Sequence, residues 1–137
     1  PKVTLSKINN HFDGHIQGKS FLLMGATYRQ DVGDTRFSPS ENFAKDLMSM
    51  KVNITVCDPL IEYWEEMQME IHNKILDFSN YHAIIFAVPH KEFTKIDFSS
   101  ININKKALIF DSNNVLTKHQ ITHILRKNLK YASIGRG

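Results

Sequence analysis

The chain has 137 residues, 42% of them hydrophobic and 23% charged, with a formal net charge of +3. That is enough length for one globular domain with a real core. No apolar run approaches the ~20 residues of a membrane-spanning helix. The basic residues are scattered among acids, without the basic stripe and interleaved aromatics that nucleic-acid binding needs, so neither membrane nor nucleic acid is an expected partner.

Residues 1–19 are polar, begin with Pro1 and lack an initiator Met and an apolar leader, and read as a segment entering from a preceding domain. Leu5 and Ile8, three apart, suit the end of a longer helix. From residue 20 the pattern alternates strand and helix. Phe21-Leu-Leu-Met24 marks a buried strand over 20–26. A helix is expected over 38–51, with Ser38 as N-cap, Pro39 at the first helical position and Glu41 completing a capping box. Phe43, Ala44, Leu47 and Met48 form its apolar face. Asn-Ile-Thr-Val-Cys-Asp predicts a second strand over 53–58, stopped by Pro59. A short helical piece around Trp64 (60–67), a small strand (68–71) and a helical turn (74–80) follow. Ala-Ile-Ile-Phe-Ala-Val predicts the most apolar strand, 83–88, and another is expected over 107–111. The last elements are a helix over 118–128, with Ile121, Ile124 and Leu125 inward, and a strand over 131–134.

Continuous apolar strands imply a sheet covered on both faces, and intervening helices imply parallel connections. The expected fold is a three-layer, Rossmann-like α/β domain with a mainly parallel sheet, spanning 20–137.

Open sheets of this kind bind ligands at the carboxyl ends of their strands. There lies the loop that carries Tyr28, Arg29 and Arg36. Two guanidiniums, each a planar fork of donors, suit a diphosphate. Arg36 also has Asp31 and Asp34 close in sequence and can tie the loop. G-x-G-x-x-G is absent, with Gly25 followed by Ala-Thr-Tyr-Arg, so a dinucleotide turn is not expected. Asp58 at the second strand's end is placed to bind a ribose or, more simply, to cap the next turn. Asp111-Ser-Asn-Asn114 is either a turn or a set of nucleotide contacts. His90 lies near the same crevice. The seven histidines include two pairs spaced by four, His11/His15 and His119/His123, but no H-E-x-x-H, and they read as surface residues rather than metal ligands. Cys57, within an apolar strand, reads as a buried inert thiol of a reducing compartment.

Taken together, Gly25-Ala-Thr-Tyr-Arg-Gln-Asp-Val-Gly-Asp-Thr-Arg-Phe-Ser-Pro39, Cys57-Asp-Pro59, His90-Lys-Glu-Phe93 with Ile96-Asp-Phe98, Phe110-Asp111, and Tyr131 through Ile134-Gly-Arg136 resemble the C-terminal domain of the UDP-glucose/GDP-mannose dehydrogenase family. The resemblance implies the UDP-sugar-binding domain of a cytoplasmic, NAD-dependent UDP-sugar 6-dehydrogenase of polysaccharide biosynthesis. Such an enzyme oxidises the sugar's C6 hydroxymethyl to a carboxylate. Its NAD-binding and central domains, its nucleophilic cysteine and its NAD fingerprint would lie outside this chain, leaving no catalytic residue here and an inactive isolated fragment. The full-length enzyme would be a homo-oligomer.

By position, Tyr28 and Arg29 would contact the nucleotide sugar, Arg29 standing where the family usually has Lys. Arg36 would reach the NAD diphosphate. The family's D-G-R-[NR] reads Asp-Ser-Asn-Asn here, so Asn113 and Asn114 replace an arginine-bearing contact and the sugar is left open. The alternative is a non-catalytic Rossmann-like nucleotide-binding module; a receiver-like signalling domain fits the acid placement less well.

Overall fold

The computed structural model describes residues 2–75 and 77–134. In chain order the elements are α1 (Lys2–His11), β1 (Ser20–Met24), α2 (Pro39–Ser49), β2 (Asn53–Cys57), β3 (Tyr63–Trp64), β4 (Met69–Glu70), β5 (Ala83–Phe86), β6 (Leu108–Asp111), α3 (Lys118–Arg126) and β7 (Lys130–Ser133). Five strands form one parallel sheet in the order β2-β1-β5-β6-β7.

The apolar runs set this arrangement. In a strand, successive side chains point to opposite faces, so an uninterrupted run must be covered on both. Phe21 and Leu23 of β1 join a core with Ile8 of α1 and Phe43, Ala44 and Leu47 of α2. Leu22 and Met24 join a second core with Phe86, Phe93, Phe98 and Ile124 of α3. The result is the three-layer α/β fold expected from the sequence.

Registration places the site. Met24 pairs with Cys57 on one side and Phe86 on the other, Phe86 with Asp111, and Asp111 with Ser133. The carboxyl ends of all five strands are therefore level, and the loops after them share one edge. The chain steps from β1 outward to β2 and then returns to β5 on β1's other side, so the order reverses between β1 and β5. That reversal is where open α/β sheets leave a crevice.

Several local expectations are corrected. Of the helical piece expected over 60–67 only Glu65–Met67 is helical, as a 3-10 turn; β3 and β4 form an antiparallel pair around it, with Trp64 fully buried in the first core. Of the helical turn expected over 74–80, Leu76 lies outside the described residues. The others make no helix, and Phe78 forms a parallel bridge with Ile103. Ser38 caps α2 by accepting the N–H of Ser40, while Glu41 pairs with Lys45 Nζ at 2.7 Å instead of closing a capping box. The capping box belongs to α3, between Thr117 and Gln120. Met48 and Leu125 are 51% and 56% exposed, each one position beyond its helix's buried stripe, and Ile121 is half-buried. Gln120 takes part of α3's inner face by donating to the carbonyls of Phe93 and Ile96.

Candidate functional site

Gly25 begins the loop after β1 with φ +109°. A Cβ there would stand 2.7 Å from Val88 Cβ and 2.8 Å from Val88 N, so the loop can leave the sheet against the β5 exit only at a glycine. Its far end is tied back to its start: Ser38 Oγ donates to Thr27 O (3.3 Å), and Ser40 Oγ to Gly25 O (3.2 Å). In between, Tyr28 N–H donates to Asp34 O at 2.6 Å, and Gly33 packs against Leu60.

Tyr28 and Arg29 are exposed at the crest of this loop, and Arg29 makes no side-chain hydrogen bond or ion pair with any described residue. Arg36 is also exposed, but Asp34 holds it through Nε (3.1 Å) and Nη2 (2.8 Å). The side-chain and backbone hydrogen bonds from Arg36 hold the Asp34 carboxyl down at about 2. Of the two acids near Arg36 in sequence, Asp34 is thus its partner. Asp31 instead accepts from Lys91 N–H at 3.1 Å. A surface pair of this kind contributes little to stability, so the Arg36 guanidinium can be recruited by a stronger anion. Next to it Phe37 stands 88% exposed at φ +59°, an unusual backbone state for a bulky side chain.

The β6 exit supplies a polar turn. Asp111 accepts the N–H groups of Asn113, Val115 and Leu116. Asn113 donates from Nδ2 to Ala87 O (3.1 Å), and exposed Asn114 sits at φ +51°. Asn113 also lines a cleft of about 240 Å³ between the α2 N-terminus and the β5 and β6 exits, floored by Phe43, Ala87 and Ile134. The structure therefore places Tyr28, Arg29, Arg36, Asn113 and Asn114 on the same edge of the sheet, in two groups with no hydrogen bond between them. Gly135 and Arg136 of the tail motif lie outside the described residues.

Asp58 and His90 are not at the surface. Asp58 is fully buried, with Oδ1 accepting Leu60 N–H and Oδ2 accepting Ala26 N–H (2.9 Å). This is the turn-capping role, and it leaves no face for a ribose. His90, expected as a crevice contact, is buried beneath the loop: Nε2 lies 2.9 Å from Asp58 Oδ2 and 3.0 Å from Thr27 Oγ1, and Nδ1 accepts Asp31 N–H at 2.9 Å. Sequence reading missed this network. Its trace was a polar residue within four positions of the end of each of three apolar strands: Thr27, Asp58 and His90.

Cys57 is buried, with Sγ 3.3 Å from Lys74 O. The rings of His119 and His123 lie 4.4 Å apart, but among the described residues no three His, Cys, Asp or Glu side chains are placed to hold a metal. Among those residues, too, no helix is long and apolar enough to cross a membrane.

A family model described as the UDP-glucose/GDP-mannose dehydrogenase family, UDP binding domain, matches residues 22–118. A UDP-glucose 6-dehydrogenase of Rickettsia bellii is 26% identical, the match covering 98% of this chain and 32% of the relative. UDP-glucose 6-dehydrogenase 4 of Arabidopsis thaliana is 23% identical over 80% of this chain and 28% of its own. The chain thus spans about a third of the length of these curated relatives. Among solved structures, an NDP-N-acetyl-D-galactosaminuronic acid dehydrogenase from Methanosarcina mazei superposes with a TM-score of 0.80 at 20% identity, covering 98% of this chain and 28% of that one. A UDP-D-ManNAc dehydrogenase from Pyrococcus horikoshii gives 0.71 at 20% identity, covering 99% and 30%.

Proposed function

The chain belongs to the UDP-glucose/GDP-mannose dehydrogenase family, and from that premise we propose that it is the UDP-sugar-binding domain of an NAD-dependent UDP-sugar 6-dehydrogenase. The whole enzyme would oxidise the sugar's C6 hydroxymethyl to a carboxylate in the cytoplasm, within polysaccharide biosynthesis. Residues 1–19 would connect this domain to the preceding ones, and residues 20–137 would form the binding domain itself. The full-length protein would assemble as a homo-oligomer.

The observation that carries this reading is Arg29: an exposed guanidinium without a described side-chain partner, on a loop pinned at the reversal of the sheet. A cation on a pinned loop, without a side-chain partner among the described residues, suits the diphosphate of a nucleotide sugar. Tyr28 beside it offers a flat face to the nucleotide or sugar. Asn113 and Asn114 add hydrogen-bonding groups from the next exit on the same edge.

Among the described residues, Arg36 is the proposed contact for NAD. The β1 exit is no dinucleotide cradle, because Val88 fills the space beside Gly25 that a close-approaching pyrophosphate would need. Arg36 is exposed and could contact the diphosphate by exchanging Asp34 for it. When bound, NAD supplies the hydride acceptor. This chain's own residues would hold the nucleotide sugar and close the cleft, and buried Cys57 is not placed to act as a nucleophile.

The test is NADH formation by the full-length protein with UDP-glucose, UDP-N-acetylhexosamines and GDP-mannose. Turnover of one substrate is expected, and Arg29→Ala should raise its KM about tenfold, the scale of one lost charge-assisted contact. An unchanged KM would overturn the role of Arg29. A folded full-length protein inactive with all of them would favour the non-catalytic binding module.

A further inference from the structure

The Tyr28–Arg29 crest stands on a buried imidazole. His90 precedes the 3-10 turn Lys91–Lys95, and its ring lies edge-on to Phe93 at 5.5 Å. The hydrogen-bond partners assign its tautomer. Asp31 N–H can only donate, so Nδ1 bears the lone pair and the proton sits on Nε2. That proton faces two acceptors, Asp58 Oδ2 at 2.9 Å and Thr27 Oγ1 at 3.0 Å. Thr27 spends its own hydroxyl hydrogen on Arg29 O at 3.1 Å, which leaves its oxygen free to accept.

The consequence for the loop is local and strong. The loop is held at Ala26 N–H by Asp58, at the Thr27 hydroxyl by His90, at Tyr28 N–H by the Asp34 carbonyl, and at Asp31 by His90, which accepts its N–H, and by Lys91 N–H, which donates to its carboxylate. Arg29 projects between these anchors. Asp31 has φ +58°, a left-handed turn that Asp tolerates better than most side chains and that contacts to its N–H and carboxylate help to keep. The His90 Nδ1 acceptor holds its backbone N–H, and Lys91 N–H holds its carboxylate.

We infer that His90 is a positioning residue: its Nδ1 fixes the reversal at Asp31, and thereby the aim of Tyr28 and Arg29, while Asp58 orients the ring from the other side. This rests on the nucleotide-binding reading of that loop. His90 itself touches no ligand in this scheme.

Two substitutions separate the two nitrogens. His90→Asn leaves an amide oxygen near the Nδ1 position and can still accept Asp31 N–H. His90→Gln carries its amide nitrogen toward Asp58 and leaves Asp31 without an acceptor. Amide hydrogen exchange, resolved by residue, and UDP titration would be measured on the chain and both variants. Asp31 protection should persist in His90→Asn and fall about tenfold in His90→Gln, and UDP affinity should follow it, with a loss of fivefold to tenfold confined to His90→Gln.

Equal losses of protection and affinity in both variants, or lowered melting temperatures with unchanged UDP affinity, would overturn the proposal and leave His90 a packing residue. A wild-type chain that protects Asp31 but binds no UDP would refute the nucleotide reading while leaving the anchor at Asp31 intact. Ring-nitrogen NMR of the wild type needs no variant, and a neutral ring with its proton on Nδ1 would also overturn the assignment.

Discussion

Gly25 and Arg36 show how single residues set this edge of the sheet. At Gly25 a methyl group meets both the backbone and the side chain of Val88, and the backbone is already at φ +109°. Gly25→Ala combines backbone strain with overpacking, so we expect a stability loss of about 2–5 kcal/mol in urea unfolding. A loss below about 1 kcal/mol would show that the β5 exit yields instead. For Arg36 the readout is its partner. Asp34 titrates at about 2, below its ordinary 3.8. A carboxylate whose folded value is depressed stabilises the fold above its unfolded value, and that contribution is lost as pH falls through the folded value. The Arg36–Asp34 pair should therefore be complete above about pH 4 and break as pH falls through about 2. Arg36→Ala, which keeps the backbone N–H bond, should return Asp34 part of the way toward 3.8 in a carboxyl NMR titration; no movement would mean that the Arg36 side-chain hydrogen bonds do not cause the depression.

Among the elements, the strands of the main sheet were legible because their signal is local and redundant. Phe21-Leu-Leu-Met24 and Ala83-Ile-Ile-Phe86 leave no polar side, so both faces must be covered. The start of α2 was legible at Ser38-Pro39, but the role of Glu41 was not. A capping box competes with the Lys45 partner one turn on, and sequence alone does not decide between them. The β3–β4 pair was missed for a related reason: its strands are two residues long, and what holds them is burial of Trp64 in a distant core. Ser38→Ala tests the cap, since Oγ serves both Ser40 N–H and Thr27 O. It should cost about 1–2 kcal/mol in unfolding. It should also speed hydrogen exchange at the start of α2; unchanged exchange would mean that Pro39 alone sets the helix start.

Over the whole molecule, the candidate site was legible as a place more than as a mechanism. The level strand ends and the reversal between β1 and β5 follow from alternating strands and helices, and they bring Arg29, Arg36 and Asn113 to one edge. What the sequence did not reveal is that Asp58 and His90 work underneath that edge, because 32 and 63 residues separate the groups that meet there. Long-range pairing of buried polar groups leaves no periodic trace, and only folded geometry can show that Asp58 supports the loop and offers nothing to a ribose.

We propose that this chain binds the UDP moiety through the loop after β1. Calorimetric titration of UDP into the chain, beside its Arg29→Ala variant, tests it most directly. Saturable binding to a single site is expected, weakened about tenfold in the variant. A folded wild-type chain that gives no saturable heat, or a variant that binds as tightly as the wild type, would contradict it.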